Sequence, residues 1–317
     1  MQTTSSQPTP PKIRLSLAAL VLAAAGLAQA EHFQFATLAQ ARDILSRHDD
    51  YVAATAPLER SVLLRTTEAL SPERFAAAMA DTALEWSEEE RRRIGEVLPR
   101  LERFVSGMRW SAPTTVLFIK ASSRLMDGFP HTRANAIVLQ ERMLRDALEK
   151  SGFLDYLLAH EVFHVLTRAN RDLRDELYAA IGFRRCSSAE IPQALARLRI
   201  TNPDEPPVRY TIRVAQGEVM PLAHFASDAI EPSEGIMKHV RVSWLRVDRR
   251  DGHCAARDGE RLGVDELHGF YEQVGTNTQY VIHPEEILAD NFALLFRGGQ
   301  KPESPEIVER LARILRR

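Results

Sequence analysis

The sequence predicts an α+β protein that is mainly helical, with a small mixed sheet placed before one apolar, histidine-bearing helix. Residues 36–108 follow a helical pattern of apolar and polar positions. Two short runs, 114–120 and 135–140, are rich in β-branched and apolar residues and predict strands. The apolar segment 151–169 comes next and predicts a helix that is buried on more than one side.

The N-terminus has the pattern of a secretory signal peptide. Lys12 and Arg14 precede an apolar run over 15–30 that ends in Ala-Gln-Ala, so we expect cleavage after Ala30. The run is short for a membrane span, and no cysteine follows the cut to carry a lipid. We therefore expect a periplasmic or secreted protein without a stable membrane anchor. The alternative is a retained N-terminal anchor.

The composition sets limits on partners and on domain number. The chain has 317 residues, 44% of them apolar, and a formal net charge of −2, which gives no reason to expect a nucleic acid partner. We expect residues 31–317 to form one domain. Cys186 and Cys254 could form a disulfide in an oxidising compartment, but the sequence does not fix the distance between them.

Helix boundaries are marked by capping residues. Ser71 followed by Pro72 predicts a helix start. The acidic and basic residues over 87–93 are spaced four apart and predict an ion-paired, solvated helix face. A helix over 172–181 is predicted to end at Gly182.

Residues 183–262 differ from the rest of the chain. They hold polar turns and two strand-like runs, 208–214 and 240–247, and we interpret them as an insertion of strands and loops. The sequence does not reveal the role of this insertion.

The C-terminal part returns to a helical pattern at residue 264. A stronger helix begins at Pro284 and ends at Gly298 and Gly299. Ser304 followed by Pro305 predicts the start of a last short helix.

The central helix carries the pentapeptide "HEVFH". His160 and His164 lie one helical turn apart on the same face, so both imidazoles can turn towards one zinc ion. Glu161 is rotated by roughly 100° from His160, and its carboxylate can reach a water molecule on the open side of the metal. This separates two metal ligands from one general base. The alternative is a buried helix with one hydrogen-bonded and one partly exposed histidine.

A third protein ligand is needed, and local positions do not supply it. The extended three-histidine motif requires glycine and histidine where Thr167 and Asn170 stand. Asp172, Asp175 and Glu176 lie beside arginines and are more simply interpreted as surface charges of the next helix.

The segment "HPEEILADNF" supplies a better candidate. Glu286 and Asp290 are four residues apart on a predicted helix, so one can bind zinc while the other accepts the N–H of a ligating histidine. We prefer Glu286 over Glu285 as the ligand because Ala289 would follow Glu285 at the orienting position. Acidic residues at a helix N-terminus also suit the helix dipole, which is the alternative explanation.

The pentapeptide and the downstream E-x-x-x-D pattern resemble the gluzincin class of zinc metallopeptidases, with a thermolysin-like active site. The resemblance implies a zincin-like fold and one zinc ion per chain, held by His160, His164 and Glu286 and supported by Asp290. It implies peptide hydrolysis by a zinc-activated water, with Glu161 as general base. The spacing between His164 and Glu286, 286 − 164 = 122 residues, is longer than is usual in the class.

The resemblance also implies substrate contacts. In this class an edge strand before the zinc helix holds the substrate backbone, which indicates Asn135 and Ala136 in "NAIVLQ" as contacts. A further donor stabilises the oxyanion, and Tyr280 is the first choice for it. The other candidates in the same segment are His268, Tyr271 and His283.

The preferred function is therefore an exported zinc metallopeptidase that acts on a peptide or protein. A second hypothesis keeps the zinc and changes the substrate to another amide or ester, such as a cell-wall peptide. A third is a non-catalytic periplasmic binding or assembly protein. Glu161 distinguishes them, because a purely structural metal site has no need of a carboxylate at this position.

Overall fold

The structure is a computed structural model that describes residues 32–111, 115–205, 209–299 and 301–316. The expected signal peptide and its cleavage point lie outside these ranges. Within them, no helix combines the length and the apolar character that crossing a bilayer requires.

Helices account for most of the regular structure in the described ranges. Their bounds are α1 Leu38–Leu45, α2 Asp50–Ala54, α3 Pro57–Leu63, α4 Pro72–Ala80, α5 Glu88–Ser106, α6 Glu141–Glu149, α7 Phe153–Ala169, α8 Arg171–Ala180, α9 Gln193–Leu198, α10 Tyr271–Val274, α11 Pro284–Arg297 and α12 Pro305–Leu315. The strands are β1 Phe33–Phe35, β2 Ala83–Leu84, β3 Val116–Ala121, β4 His131–Arg133, β5 Ala136–Gln140, β6 Phe183–Arg185, β7 Ser188–Glu190, β8 Tyr210–Val214, β9 Gly217–Phe225, β10 Val240–Arg250 and β11 His253–Leu262. The fold thus contains both helices and strands, with two sheets, and it is compatible with the predicted α+β class.

The first sheet has the order β1-β3-β5-β4, with β2 paired to the end of β3. Strands β1, β3 and β5 run parallel, and β4 pairs antiparallel to β5 at the edge. The strand β4 escaped the sequence prediction because its three residues, His131, Thr132 and Arg133, are polar and yet buried. A buried polar strand lacks the alternation by which strands are recognised.

The second sheet is built from the residues interpreted as an insertion. Its order is β6-β8-β9-β10-β11-β7, mostly antiparallel, and its strands span 183–262. Cys186, after β6, and Cys254, in β11, form a disulfide with 5.9 Å between their Cα atoms. The pairing that the sequence left open is therefore present.

The helical pattern expected from residue 264 is only partly realised. A 3₁₀ turn at 264–266 and the four-residue helix α10 are separated by Gly269, whose φ of +85° interrupts a right-handed helix. The predicted start of α4 is observed, with the side chain of Ser71 accepting a hydrogen bond from Arg74 N.

Helices α7 and α11 pack against each other in the main core. The Phe163 ring of α7 lies 5.3 Å from the Phe292 ring of α11, centroid to centroid. Helix α11 is capped at its start by His283, whose Nδ1 accepts from the backbone N–H of Glu285. This packing places the polar face of α7 opposite the first two turns of α11.

Candidate metal centre

Two histidines of α7 and one glutamate of α11 converge on a single point. Oε2 of Glu286 lies 3.3 Å from Nε2 of His160 and 3.7 Å from Nε2 of His164. The side chain of His164 is 1% exposed and that of Glu286 is 3% exposed, so the group is almost entirely withdrawn from solvent. One ligand atom from each residue lies within 4.8 Å of the others, an arrangement that can hold a metal ion.

The outer nitrogen of His160 is held by Asp290. Nδ1 of His160 lies 2.8 Å from Oδ1 of Asp290. That carboxylate also accepts hydrogen bonds from the hydroxyls of Tyr156 and Thr278. The imidazole orientation is therefore fixed by a carboxylate that is itself fixed on both oxygens.

The outer nitrogen of His164 is held by a different carboxylate, Glu285. Nδ1 of His164 lies 2.9 Å from Oε1 of Glu285, which is fully buried. Glu285 also accepts from the hydroxyls of Thr167 and Tyr178. Each histidine thus has its own buried acceptor: Asp290 for His160 and Glu285 for His164.

These bonds decide where the histidine protons lie. A carboxylate can only accept, so Nδ1 of each ring is the donor, and Nε2 of the neutral ring carries a lone pair. Both lone pairs of His160 and His164 then face an oxygen of Glu286. Lone pairs at this separation repel unless a proton or a metal ion lies between them.

Without a metal ion, protons must fill that role. Burial alone lowers the pKa of His160, but its hydrogen bonds to Asp290 and Glu286 outweigh this and raise the pKa well above its ordinary value. Burial also opposes the charge on His164, yet the neighbouring Asp204 and Glu286 raise its pKa to about 9. The surroundings of both rings therefore favour a positive charge at the point where the three side chains meet.

Glu161 stands beside this point without joining it. It is 3% exposed, and among the described residues its Oε2 has no hydrogen-bond partner. Burial raises the pKa of Glu161 to about 8, and the charge of Asp204 adds to this effect. A buried carboxylate oxygen with no partner is costly, so a ligand or water at this position would stabilise the site.

A turn from the second half of the chain closes one side of the group. Asn202 donates a hydrogen bond from Nδ2 to Oε1 of Glu286. Asp204, 8% exposed, places a carboxylate oxygen within 4.8 Å of ligand atoms of Glu161 and His164. Neither residue was indicated by the sequence, because nothing in the local pattern links this turn to α7.

The position expected for substrate contacts is not at the sheet edge. Ala136 lies in β5, which pairs with β3 on one side and with β4 on the other, and it is fully buried. Asn135 directs its side chain to the backbone carbonyl of Thr115. The expectation that this strand forms the edge was wrong, because the short strand β4 lies outside it and was not recognised in the sequence.

Tyr280 lies next to the centre. The residue is 47% exposed, but the pKa of its hydroxyl is raised, first by burial and then by the charges of Glu286 and Glu205. Its backbone N–H donates to the hydroxyl of Thr278, which itself donates to Asp290, and its own hydroxyl makes no hydrogen bond with any residue of the described ranges. The structure thus leaves Tyr280 available as a donor.

The other oxyanion candidates have different surroundings. His283 is buried and caps α11 through its Nδ1, while burial lowers its pKa well below the ordinary value. His268 is exposed, and its backbone bonds to Ala215 and Gln216. Tyr271 packs against the main core. Their contacts account for them as structural residues.

Three supporting residues were missed by the sequence analysis, although two had a local signal. Tyr156 precedes His160 by one turn, and Thr167 follows His164 by three residues, so both lie on the polar face of α7. Glu285 was considered as a ligand and set aside in favour of Glu286, and its role beside His164 was not expected. Its hydrogen bond to His164 depends on how α7 and α11 pack, which no local pattern encodes.

No family model, no curated protein and no solved structure matches this chain. The function is therefore inferred from the residues of the centre and their chemistry.

Proposed function

We propose that the protein is an exported zinc metallopeptidase with a zincin-like fold. One observation carries the proposal: Oε2 of Glu286 lies 3.3 and 3.7 Å from the inner nitrogens of His160 and His164. Ligand atoms bound at zinc distances of about 2.0–2.2 Å in a tetrahedral site lie about 3.3–3.6 Å from each other. Two imidazoles and one carboxylate also form a usual set of ligands for catalytic zinc, which keeps its fourth position open.

The charge of the surroundings supports a divalent cation. Four buried carboxylates, those of Glu161, Asp204, Glu285 and Glu286, lie within or next to the group, and Asp290 adds a fifth. Buried charges of one sign are unfavourable unless they are paired or bind a metal. A zinc ion between the histidines would offset this repulsion and would favour the ionised form of Glu161.

A bound zinc ion would polarise the scissile carbonyl and lower the pKa of a coordinated water. Glu161 would accept the proton of that water; the proposal is supported by its buried Oε2, which has no hydrogen-bond partner among the described residues. The same carboxyl can then deliver the proton to the leaving nitrogen. We assign the donor that would stabilise the developing oxyanion to Tyr280, whose backbone is linked to Asp290 through the hydroxyl of Thr278.

Export is supported by two features that are independent of the centre. The N-terminal sequence has a basic start, an apolar run and a small-residue exit. The disulfide between Cys186 and Cys254 is of a kind that persists in oxidising compartments. Both features fit a periplasmic or secreted enzyme.

The proposal is tested by metal-dependent proteolysis. The purified protein is assayed on fluorescein-labelled casein and on a mixture of quenched peptides, before and after removal of metal with 1,10-phenanthroline and again after addition of Zn²⁺. We expect cleavage that is lost with the chelator and restored by Zn²⁺. A protein that binds zinc but cleaves neither substrate would contradict the peptidase assignment and leave two alternatives, the hydrolase of another amide or ester and the non-catalytic binding protein.

A further inference from the structure

The turn over residues 201–205 connects three parts of the molecule. Just before it, the backbone N–H of Ile200 donates to the carbonyl of Ala223 in β9, 2.9 Å away. Thr201 donates from its backbone and its hydroxyl to Glu59 of α3. Asp204 accepts from the backbone N–H and the hydroxyl of Thr132, on the outer side of the edge strand β4. Hydrogen bonds therefore fix the turn at both of its ends.

Helix α7 holds the middle of the same turn. Nη2 of Arg168 donates to the carbonyl of Pro203 at 2.9 Å, and its Nη1 donates to the carbonyl of Ala134 at 3.0 Å. Arg168 follows His164 by one helical turn. The position of the turn is thus tied to the helix that carries the histidines.

The side chain of Asn202 is fixed at both of its polar atoms. Its Oδ1 accepts from the backbone N–H of Asp204 at 3.0 Å, which only an oxygen can do. This bond settles which end of the amide is the nitrogen, so Nδ2 faces Glu286 as a donor. The amide is held by the turn and presents one N–H to Oε1 of Glu286.

The two oxygens of Glu286 consequently have different roles. Oε1 is engaged by Asn202, and Oε2 is the atom that faces the inner nitrogens of both histidines. A carboxylate without this bond could rotate about its last torsion and present either oxygen or both to a metal ion. A fixed donor on one oxygen selects binding through the other.

We propose that Asn202 is a positioning residue of the metal centre, which holds Glu286 so that it binds the metal through Oε2 alone. The inference rests on the proposed metal site. It also assigns a role to the insertion over 183–262, because the turn in its first half carries Asn202, which holds the third ligand in position. Asn202 acts through Glu286 and makes no contact with the metal ion itself. The histidines already have Asp290 and Glu285 in the corresponding role.

The test compares Asn202→Asp with the wild-type protein and with Asn170→Asp as matched control. Aspartate at 202 can still accept from Asp204 N and, when ionised, cannot donate to Glu286. Asn170 donates to the carbonyls of Leu166 and Ser111 and does not contact Glu286, so its variant loses similar bonds away from the ligands. Zn²⁺ affinity is measured by competition with a chromophoric chelator, and the visible absorption of the Co²⁺-loaded protein reports the coordination geometry.

We expect Asn202→Asp to weaken Zn²⁺ binding by about 10- to 100-fold and to change the Co²⁺ spectrum, while Asn170→Asp keeps both. Melting of the metal-free proteins, followed by circular dichroism, controls for lost stability. If Asn202→Asp does not fold, Asn202→Ser removes the same donor without adding a charge and carries the test.

The outcomes distinguish a failure of the positioning role of Asn202 from a failure of the metal centre itself. Wild-type affinity and an unchanged Co²⁺ spectrum in the folded Asn202 variant would overturn the positioning role and leave the metal centre intact. A wild-type protein that binds neither Zn²⁺ nor Co²⁺ would instead overturn the metal centre.

Discussion

Nδ1 of His164 lies 2.9 Å from Oε1 of Glu285, the residue immediately before the proposed ligand Glu286. Two neighbouring glutamates of α11 therefore serve different atoms of the same imidazole: one holds its outer nitrogen, and the other faces its inner nitrogen. Adjacent positions on a helix are separated by about 100°, which lets the two carboxylates approach the ring from different directions. The two adjacent glutamates thus lie at the two ring nitrogens of one histidine, an arrangement that the helix dipole alone does not require.

The variant Glu285→Gln tests this pairing. Glutamine can still accept from Nδ1 of His164, and Tyr178 can accept from its amide, so the shape is kept while the charge is lost. We expect Zn²⁺ affinity to fall by about tenfold or more, because the carboxylate increases the basicity of the ligating ring. Chelator competition measures the change. The exposed Glu309→Gln on α12 is the control, and equal affinity in the two variants would remove Glu285 from this role.

Asp290→Ala should weaken Zn²⁺ affinity by about 10- to 100-fold, because it removes the acceptor of His160 Nδ1. The protein should still fold, because the change removes no apolar side chain from the main core. The measurement is chelator competition together with circular dichroism, beside the exposed Asp258→Ala as control. An affinity equal to that of the wild type would show that Asp290 does not support the ligand.

Glu161→Gln should abolish hydrolysis and leave zinc bound. Glutamine keeps the size of the side chain but cannot take a proton from water at neutral pH. Metal content and proteolysis are measured on the same preparation, with Glu309→Gln again as control. Undiminished activity would refute Glu161 as the general base, and a loss of zinc would mean that it acts as a ligand.

Stability should fall with acid through His131. This histidine of β4 is 1% exposed, and its Nδ1 accepts a hydrogen bond from the side chain of Gln140. Burial lowers its pKa from 6.5 to about 4. The charge of Asp204 opposes this shift, and the charge of Arg133 adds to it. Between these two pH values the unfolded chain binds a proton that the folded chain does not, so the free energy of unfolding decreases as the pH falls. The full effect is about 3 kcal/mol.

The variant His131→Gln checks this pH dependence. Glutamine offers Gln140 an uncharged acceptor, so the loss of stability from pH 6.5 to pH 4 should be smaller than in the wild type. Urea unfolding at several pH values, with metal removed from all samples, gives the comparison. The exposed His48→Gln should follow the wild-type curve. Parallel curves for wild type and His131→Gln would refute the assignment.

Removing the disulfide should destabilise the protein without affecting the metal. The bridge joins residues 68 apart in sequence, and closing a loop of this length stabilises a fold by roughly 2–5 kcal/mol. We expect the double variant Cys186→Ser, Cys254→Ser to lose that amount in urea unfolding while Zn²⁺ affinity stays within about twofold of the wild type. A large drop in affinity would show that the second sheet is coupled to the centre through this bridge.

The sequence predicted those parts of the candidate site that depend on local geometry. Residues four apart on a helix share a face, so His160 with His164 and Glu286 with Asp290 were paired correctly as neighbours, and the structure brings the two pairs together. The two strand-like runs expected in 183–262 overlap β8 and β10, but the other four strands of the second sheet and the strand order were not expected. Whether these groups hold zinc and catalyse hydrolysis stays a prediction.

The remaining parts depend on tertiary packing. Asn202 and Asp204 reach the centre because the turn that carries them is fixed to β4, α3 and α7, and none of these contacts is encoded in the turn itself. The edge strand β4 was missed because its buried residues are polar, so the neighbouring strand β5 was wrongly expected at the sheet edge. The substrate contacts at Asn135 and Ala136 stay a prediction. In the structure, buried polar groups indicate a candidate site. In the sequence, the same polar residues do not show the alternation by which a strand is recognised.

The central claim is tested most directly by the metal content of the purified protein. Wild type, Glu286→Ala and Glu161→Gln are compared by mass spectrometry of dissolved metal after reconstitution with Zn²⁺ and removal of excess. The account predicts one zinc ion per chain in the wild type and in Glu161→Gln, and its loss or marked weakening in Glu286→Ala. Zinc retained unchanged in Glu286→Ala would contradict the assigned third ligand, and no zinc in any of the proteins would contradict the metal centre.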